Sequence, residues 1–228
     1  MLHNRWRTSL TRALLIGSAL APASASAQAP AYITQWGTYG IGPGEFNEPA
    51  GVALDPSGNV FVVDYGNSRV QKFTGSGAYV SQIGTYGVGN GEFRFPLGMA
   101  VDTSGDVFVA DQYNHRIEKF TNVGAYIGQW GGLGNGAGEF LYPVGVAADA
   151  SGNIYVVDSN HHRIQVFTSS GIYVSEWGSF GSGNGQLNLP VFVTVDAAGN
   201  AFVSDRGNNR IQKFASNASC ESIKISML

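Results

Sequence analysis

Apolar and polar residues alternate at a period of two along much of the chain. Arg69-Val70-Gln71-Lys72-Phe73 and Tyr79-Val80-Ser81-Gln82-Ile83 both follow this pattern, which describes strands with one apolar face. Before them lie two apolar runs, Gly51-Val52-Ala53-Leu54-Asp55 and the β-branched and aromatic Val60-Phe61-Val62-Val63-Asp64, also strands by composition. Pro56-Ser57-Gly58-Asn59, Tyr65-Gly66-Asn67-Ser68 and Gly75-Ser76-Gly77 separate the four runs and carry turn chemistry. No 3.6-residue apolar period appears after residue 27. The pattern predicts an antiparallel four-stranded meander, with strands a to d counted outward.

The meander recurs every 47 residues. Pro49, Pro96, Pro143 and Pro190 keep that spacing without insertion. So do Asp55, Asp102, Asp149 and Asp196, and so do the strand-b aspartates Asp64, Asp111, Asp158 and Asp205. A period of 20–50 residues signals a solenoid, a propeller or an array. One four-stranded sheet per period, stacked radially, predicts an all-β fold: a β-propeller of four antiparallel blades.

Within each copy, Asp-x-Ser-Gly-Asn, an apolar strand ending in Asp and then Asn-x-Arg-Ile-Gln-x-Phe resemble the NHL repeat. The matches are Asn67–Phe73, Asn114–Phe120 and Asn208–Phe214; the third copy, His161–Phe167, has His161 in place of Asn. The resemblance covers residues 31 to about 217. It implies a ring of about six blades, whereas four copies are present. A closed four-bladed ring, an open arc completed by a second copy, and a truncated frame are the alternatives. Ala31–Gly37 aligns with a strand d, so it is expected to complete the last blade, which lacks one. Such a clasp would hide two sheet edges.

Composition bears on the ends and on the partners. Residues 1–27 have a basic start (Arg5, Arg7, Arg12), an apolar run Ala13–Ala21 and small-x-small sites at Ala23–Ala27, the pattern of a secretory signal peptide. Residues 31–217 are then the propeller and 218–228 an unpatterned tail, and the expected location is secreted or periplasmic. Without the first segment, ten Lys and Arg face 16 Asp and Glu, a net charge of −6. That balance opposes nucleic-acid binding. No run of 18 apolar residues is present, so no helical membrane span is expected. The single cysteine, Cys220, excludes a disulfide framework.

Recurrent residues read as scaffold. Asp64 and Arg69, Asp111 and Arg116, Asp158 and Arg163, and Asp205 and Arg210 lie five apart across the b–c hairpin. A ring of carboxylates could hold calcium, but a repeated ion pair is the favoured reading, and no metal or other cofactor is expected. His115 and His162 share a repeat position at which the resemblance implies histidine; three histidines are a poor zinc set. Phe46, Phe93, Phe140 and Leu187 are expected to anchor the inter-blade connections.

Function is sought where the copies differ. The b–c hairpins and the d–a connections share one face. There the variable residues include Tyr65, Tyr86, Arg94, Phe95, Tyr113, Tyr142, His161, Phe180 and Arg206. Aromatics with arginine are typical anchors of interfaces. Phe192 replaces the glycine of the other copies (Gly51, Gly98, Gly145) at the start of strand a and is expected to narrow the channel mouth. The favoured reading is an exported binding or scaffold module for a protein, peptide or glycan. The alternative is a propeller lyase or metal-dependent hydrolase working in the channel. Strand a supplies mainly Ala, Val, Leu, Met and Thr194 there, which favours binding over catalysis.

Overall fold

The computed structural model describes residues 30–215. The expected signal segment 1–27 and tail 218–228 lie outside the described residues. Residues 30–34 carry no regular structure and form a unit separate from the propeller.

Three of the predicted four-stranded meanders form, and the fourth copy gives a three-stranded sheet among the described residues. Blade 1 comprises β3 (Pro49–Leu54), β4 (Val60–Asp64), β5 (Arg69–Phe73) and β6 (Tyr79–Ile83); a short parallel pair, β1 (Thr38–Tyr39) and β2 (Glu45–Phe46), precedes it. Blade 2 comprises β7 (Pro96–Val101), β8 (Val107–Asp111), β9 (Arg116–Phe120) and β10 (Tyr126–Gly131). Blade 3 comprises β11 (Pro143–Ala148), β12 (Asn153–Asp158), β13 (Arg163–Thr168) and β14 (Tyr173–Trp177). Blade 4 has β15 (Pro190–Val195), β16 (Ala201–Asp205) and β17 (Arg210–Phe214). Strand order follows chain order in every blade and all blade pairings are antiparallel.

The second and third strands of blades 1 to 3 are buried on both faces. The core accordingly fills the gaps between blades. Phe61, Val63 and Val70 of blade 1 pack with Met99, Val107 and Val109 of blade 2; the same arrangement recurs between blades 2 and 3. Phe93, Phe140 and Leu187 sit fully buried in these gaps, and Phe46 half-buried, as the sequence predicts.

The inner strands β3, β7, β11 and β15 stand side by side around one axis. Three close approaches set their spacing. A Cβ placed on Gly51 would lie 2.8 Å from the carbonyl oxygen of Leu97; on Gly98 it would lie 2.1 Å from that of Val144; on Gly145, 2.6 Å from that of Val191. Each glycine lets the next inner strand touch its backbone. No packing of that extent joins β15 to β3. Val52 and Leu54 at one side of this seam, and Ile211 on blade 4, are more than 60% exposed.

The expected clasp is not made. Residues 31–37 form no strand, and β17 is the outer edge of a three-stranded sheet. Trp36 nonetheless packs on Phe73 (ring centroids 5.9 Å apart), as Trp130 packs on Phe167 and Trp177 on Phe214. The side-chain contact survives without backbone pairing because the β15–β3 seam is not packed.

The glycine approach is testable. Gly98→Ala is expected to cost about 1–3 kcal/mol through forced displacement of the neighbouring strand. Gly128→Ala in β10, where nothing lies within 4 Å of the added carbon, should stay within about 0.5 kcal/mol. Urea unfolding of the two variants checks the difference.

Candidate functional site

The site is built on a buried carboxylate at the end of the second strand of every blade. Asp64, Asp111, Asp158 and Asp205 are all fully buried. One oxygen of each accepts the Nε–H of Arg69, Arg116, Arg163 or Arg210 at 2.7–2.8 Å. The other accepts the backbone N–H of Asn47, Arg94, Leu141 or Asn188 at 2.7–2.8 Å. The guanidinium then reaches two carbonyls of the incoming connection; for Arg116 these belong to Gly89 and Glu92, both at 2.7 Å. The ion pairs predicted from the five-residue spacing are thus the anchors of the connecting loops. Their oxygens are spent on arginine, asparagine and backbone donors rather than directed at a cation. Among the described residues, no group of three or more His, Cys, Asp or Glu is placed to hold a metal.

His161 belongs to this scaffold. It hydrogen-bonds Asp158 at 2.9 Å and Asn135 at 2.8 Å, where Asn67, Asn114 and Asn208 instead bridge their aspartate to a glycine carbonyl of the connection. The asymmetry that marks it in sequence is a substitution within the anchor.

The anchor fixes an unusual backbone. Glu48, Phe95, Tyr142 and Leu189, each just before the blade's first proline, have φ of 47–56°. Bulky residues rarely adopt this left-handed conformation, which costs about 1–3 kcal/mol. Two histidines help to hold it. His115 Nδ1 accepts the N–H of Tyr142 at 3.2 Å, and His162 Nδ1 accepts that of Leu189 at 3.0 Å. Both rings must be neutral at Nδ1, and burial lowers the pKa of both. The repeat position of these histidines is visible in sequence; their hold on a residue 27 positions later is not.

The consequence is a row of aromatic rings along the loop face. Phe95 meets Tyr65 and Tyr113, each at 5.3 Å between centroids, and Tyr86 at 6.4 Å. Tyr113 meets Tyr142 at 5.2 Å, and Tyr142 meets His115 at 4.8 Å. Most of these contacts are edge-to-face, the geometry that the ring quadrupoles favour. Tyr86 is 63% exposed and Tyr113 41%, whereas Tyr65, Phe95 and Tyr142 are half-buried. Phe180 stands apart from the row against His162, at 4.9 Å.

Beside the row opens a cleft of about 320 Å³ at the leading ends of the inner strands. Leu97, Val144, Leu189 and Val191 form its apolar wall; Tyr113, Tyr142, Gln112, Ser159, Asn160 and Arg206 complete it. Arg206 is exposed, and no acidic residue lines the cleft. Arg94 is separate: its Nε is shielded from solvent and has no hydrogen-bond partner. Phe192 lies in a larger axial cavity of about 410 Å³ lined by Ala50–Leu54, Gly98–Val101, Val146–Ala148 and Phe192–Val195. There it borders the channel rather than the cleft. The sequence thus brings Tyr65, Tyr86, Phe95, Tyr113 and Tyr142 into one row and Arg206 to its end, and leaves His161, Phe180, Arg94 and Phe192 outside it.

With this geometry in place, comparison with known proteins is informative. The profile described as "NHL repeat" matches residues 46–73, 93–120, 140–167 and 187–214. The chain is an NHL-repeat β-propeller. No curated relative matches it. Among solved structures it is similar to a streptogramin B lyase (16% identity, TM-score 0.55), over 73% of this chain and 54% of that one. It is similar to a gluconolactonase of Xanthomonas campestris (16%, TM-score 0.53; 73% and 61%) and to a chain of a nidogen–laminin complex (20%, TM-score 0.50; 72% and 64%). The NHL-repeat chain therefore spans less than two-thirds of the length of each. At such identities the likeness is one of fold.

The anchor predicts a large stability effect. Arg163→Ala leaves the Asp158 carboxylate buried without its cation and is expected to cost about 3–5 kcal/mol. Arg210→Ala, whose guanidinium-bearing side chain is 28% exposed, should cost less, because water can replace the lost partner. Urea denaturation of both variants measures the two losses.

Proposed function

We propose that this propeller is a binding module that takes a protein or peptide segment on its loop face, with the row from Tyr65 to Tyr142 as the contact strip and the Arg206 cleft as the anchoring pocket. The observation that carries this reading is the combination of preorganised aromatic rings, an apolar-walled cleft and one guanidinium free of internal partners. Rigid aromatics give contact area at little entropic cost. The guanidinium selects a carboxylate or another planar anion in the ligand.

Catalysis in the channel needs a titratable side chain projecting inward. The sixteen residues around the axial cavity are Ala, Gly, Val, Leu, Met, Phe and Thr. The proteins similar in fold divide between the two roles: a lyase and a lactonase on one side, and a laminin-bound assembly on the other. The loop face and the channel lining of this chain support the binding role. An exported location accords with the basic start and apolar run of residues 1–27.

Panning a displayed random-peptide library on the full chain tests the reading. Recovered peptides are expected to contain an acidic residue or to end in their free carboxylate beside apolar positions. Tyr113→Ala and Arg206→Glu should each weaken binding about tenfold to a hundredfold; the melting temperature should stay within about 2 °C for Arg206→Glu, whose side chain is exposed, and fall by several degrees for Tyr113→Ala, which loses its ring contacts with Phe95 and Tyr142. Peptides that bind both variants as well as the parent, or a glycan array that gives the only binders, would refute the peptide assignment.

A further inference from the structure

One position in the anchor breaks the repeat in a way the binding face does not use. Three blades carry a glutamine two residues after the arginine: Gln71 and Gln165, both buried, and Gln212, half-buried. The amide nitrogen of each donates twice. It reaches the carbonyl of Glu45, Glu139 or Gln186 at 2.6–2.7 Å and the carboxylate of Asp64, Asp158 or Asp205 at 3.1–3.2 Å. The amide oxygen accepts the N–H of Gly44, Gly138 or Gly185 at 2.8–2.9 Å. The side chain thus clamps the incoming connection at two points and ties it to the aspartate.

Blade 2 has Glu118 at this place, with no solvent exposure. Its Oε2 accepts the N–H of Gly91 at 2.9 Å, as the amide oxygen does elsewhere. Its Oε1 takes the place of the donating NH₂, has no hydrogen-bond donor of good geometry, and is ion-paired with the guanidinium of Arg116. An ionised carboxylate has no proton to give. It would present a second buried negative oxygen to an aspartate and a carbonyl that in the sister blades each accept a glutamine N–H and here keep only their Arg116 and Asn114 side-chain donors. A neutral carboxylic acid has one proton to give and restores one of the two donated bonds.

We propose that folded blade 2 carries Glu118 as the neutral acid, standing in for glutamine, and that its ionisation releases the connection of residues 84–95 that bears Tyr86, Arg94 and Phe95. The binding face is then tight in mild acid and loose in mild base. This regulation rests on the loop-face reading above for its purpose, but not for its physics.

The groups around the carboxyl fix the sign. On β8, Asp111 opposes ionisation. On β9 itself, Arg116 favours it, and the N–H of Gly91 in the connection does the same. Glu92 in that connection opposes it. Tyr126 on β10 is neutral at ordinary pH; its own ionisation is opposed by burial and by Glu118. Burial dominates and pushes the Glu118 carboxyl up to about 7, from 4.5 for a free side chain. Burial raises Asp111 as well. A group whose folded pKa is raised binds its proton more tightly in the native state. Stability is therefore fully present at about pH 4.5 and falls as pH rises to about 7.

The test compares the full chain with Glu118→Gln. Over the interval from about pH 4.5 to 7, the ratio of the two unfolding constants is expected to shift by up to tenfold per pH unit, in favour of the glutamine variant as pH rises. His115 and His162 titrate in both proteins and cancel in the ratio. Infrared spectroscopy of the parent should show a protonated-carboxyl stretch at pH 6 that Glu118→Gln lacks. Amide exchange of residues 84–95 should quicken between pH 6 and 8, after correction for the intrinsic pH dependence of exchange, in the parent alone. Parallel stability curves, or no protonated-carboxyl stretch, overturn the neutral-acid assignment. Equal corrected exchange in the two proteins overturns the coupling to the connection. A change in peptide binding between pH 6 and 8 is expected in the parent and not in the variant. If the library yields no binder, the loop-face reading fails, while the stability and infrared results still decide the state of Glu118.

Discussion

A carboxylate without water organises this molecule. At the end of each second strand, an aspartate gives both oxygens to protein donors: arginine and asparagine or histidine side chains, and the first backbone N–H after the connection. Removing the arginine leaves the carboxylate as an uncompensated buried charge, which costs several kcal/mol. The blade, its hairpin and the strand that enters from the preceding blade are therefore held as one unit. The repeat can tolerate change at exposed loop positions because the backbone beneath them is fixed from behind.

That arrangement joins fold to function. The connection pinned by Asp111 and Arg116 ends in Arg94 and Phe95; the one pinned by Asp158 and Arg163 ends in Leu141 and Tyr142. Each anchor sits one or two residues before a left-handed residue and a proline. The proline disfavours the right-handed conformation for the residue before it, and the anchor, with a histidine bond at Tyr142, supplies what the left-handed one lacks. Phe95 and Tyr142 are thereby presented at fixed angles and meet Tyr113 from either side. An aromatic row assembled from three blades depends on contacts that none of its rings makes directly.

Much of this is legible in the sequence. The 47-residue period and the alternation within it give four antiparallel blades, because each short strand is bounded by turn residues and supplies apolar side chains to the gaps between blades. The Asp–Arg spacing identifies the hairpin ion pair. Tyr65, Phe95, Tyr113 and Tyr142, singled out by their variation among copies, meet in one row. What cannot be read locally depends on contacts between blades. The seam beside β15 is set by how four repeats accumulate around an axis, so the clasp expected of residues 31–37 is not made. His161 is unusual in sequence for a structural reason, since an imidazole spans the gap that an asparagine amide spans elsewhere.

Glu118 shows why exact repeats are useful to this kind of argument. A single buried glutamate in an unrelated protein would offer no reference for what its oxygens ought to do. Here three sister blades define the hydrogen bonds of the position atom by atom, and all three use a donor where Glu118 has an acceptor. The backbone acceptors and the aspartate are the same in blade 2, so the requirement for a donor is the same. Of the two states of the Glu118 side chain, only the protonated one supplies a donor there. The Arg116 guanidinium offsets part of the charge if that proton leaves, but the Nη2 that pairs with Glu118 also donates to the carbonyls of Gly89 and Glu92, while Nε holds Asp111. A stronger pull from an ionised Glu118 competes with the contacts that hold the aromatic face in place. Protonation and loop order are therefore coupled through one shared arginine.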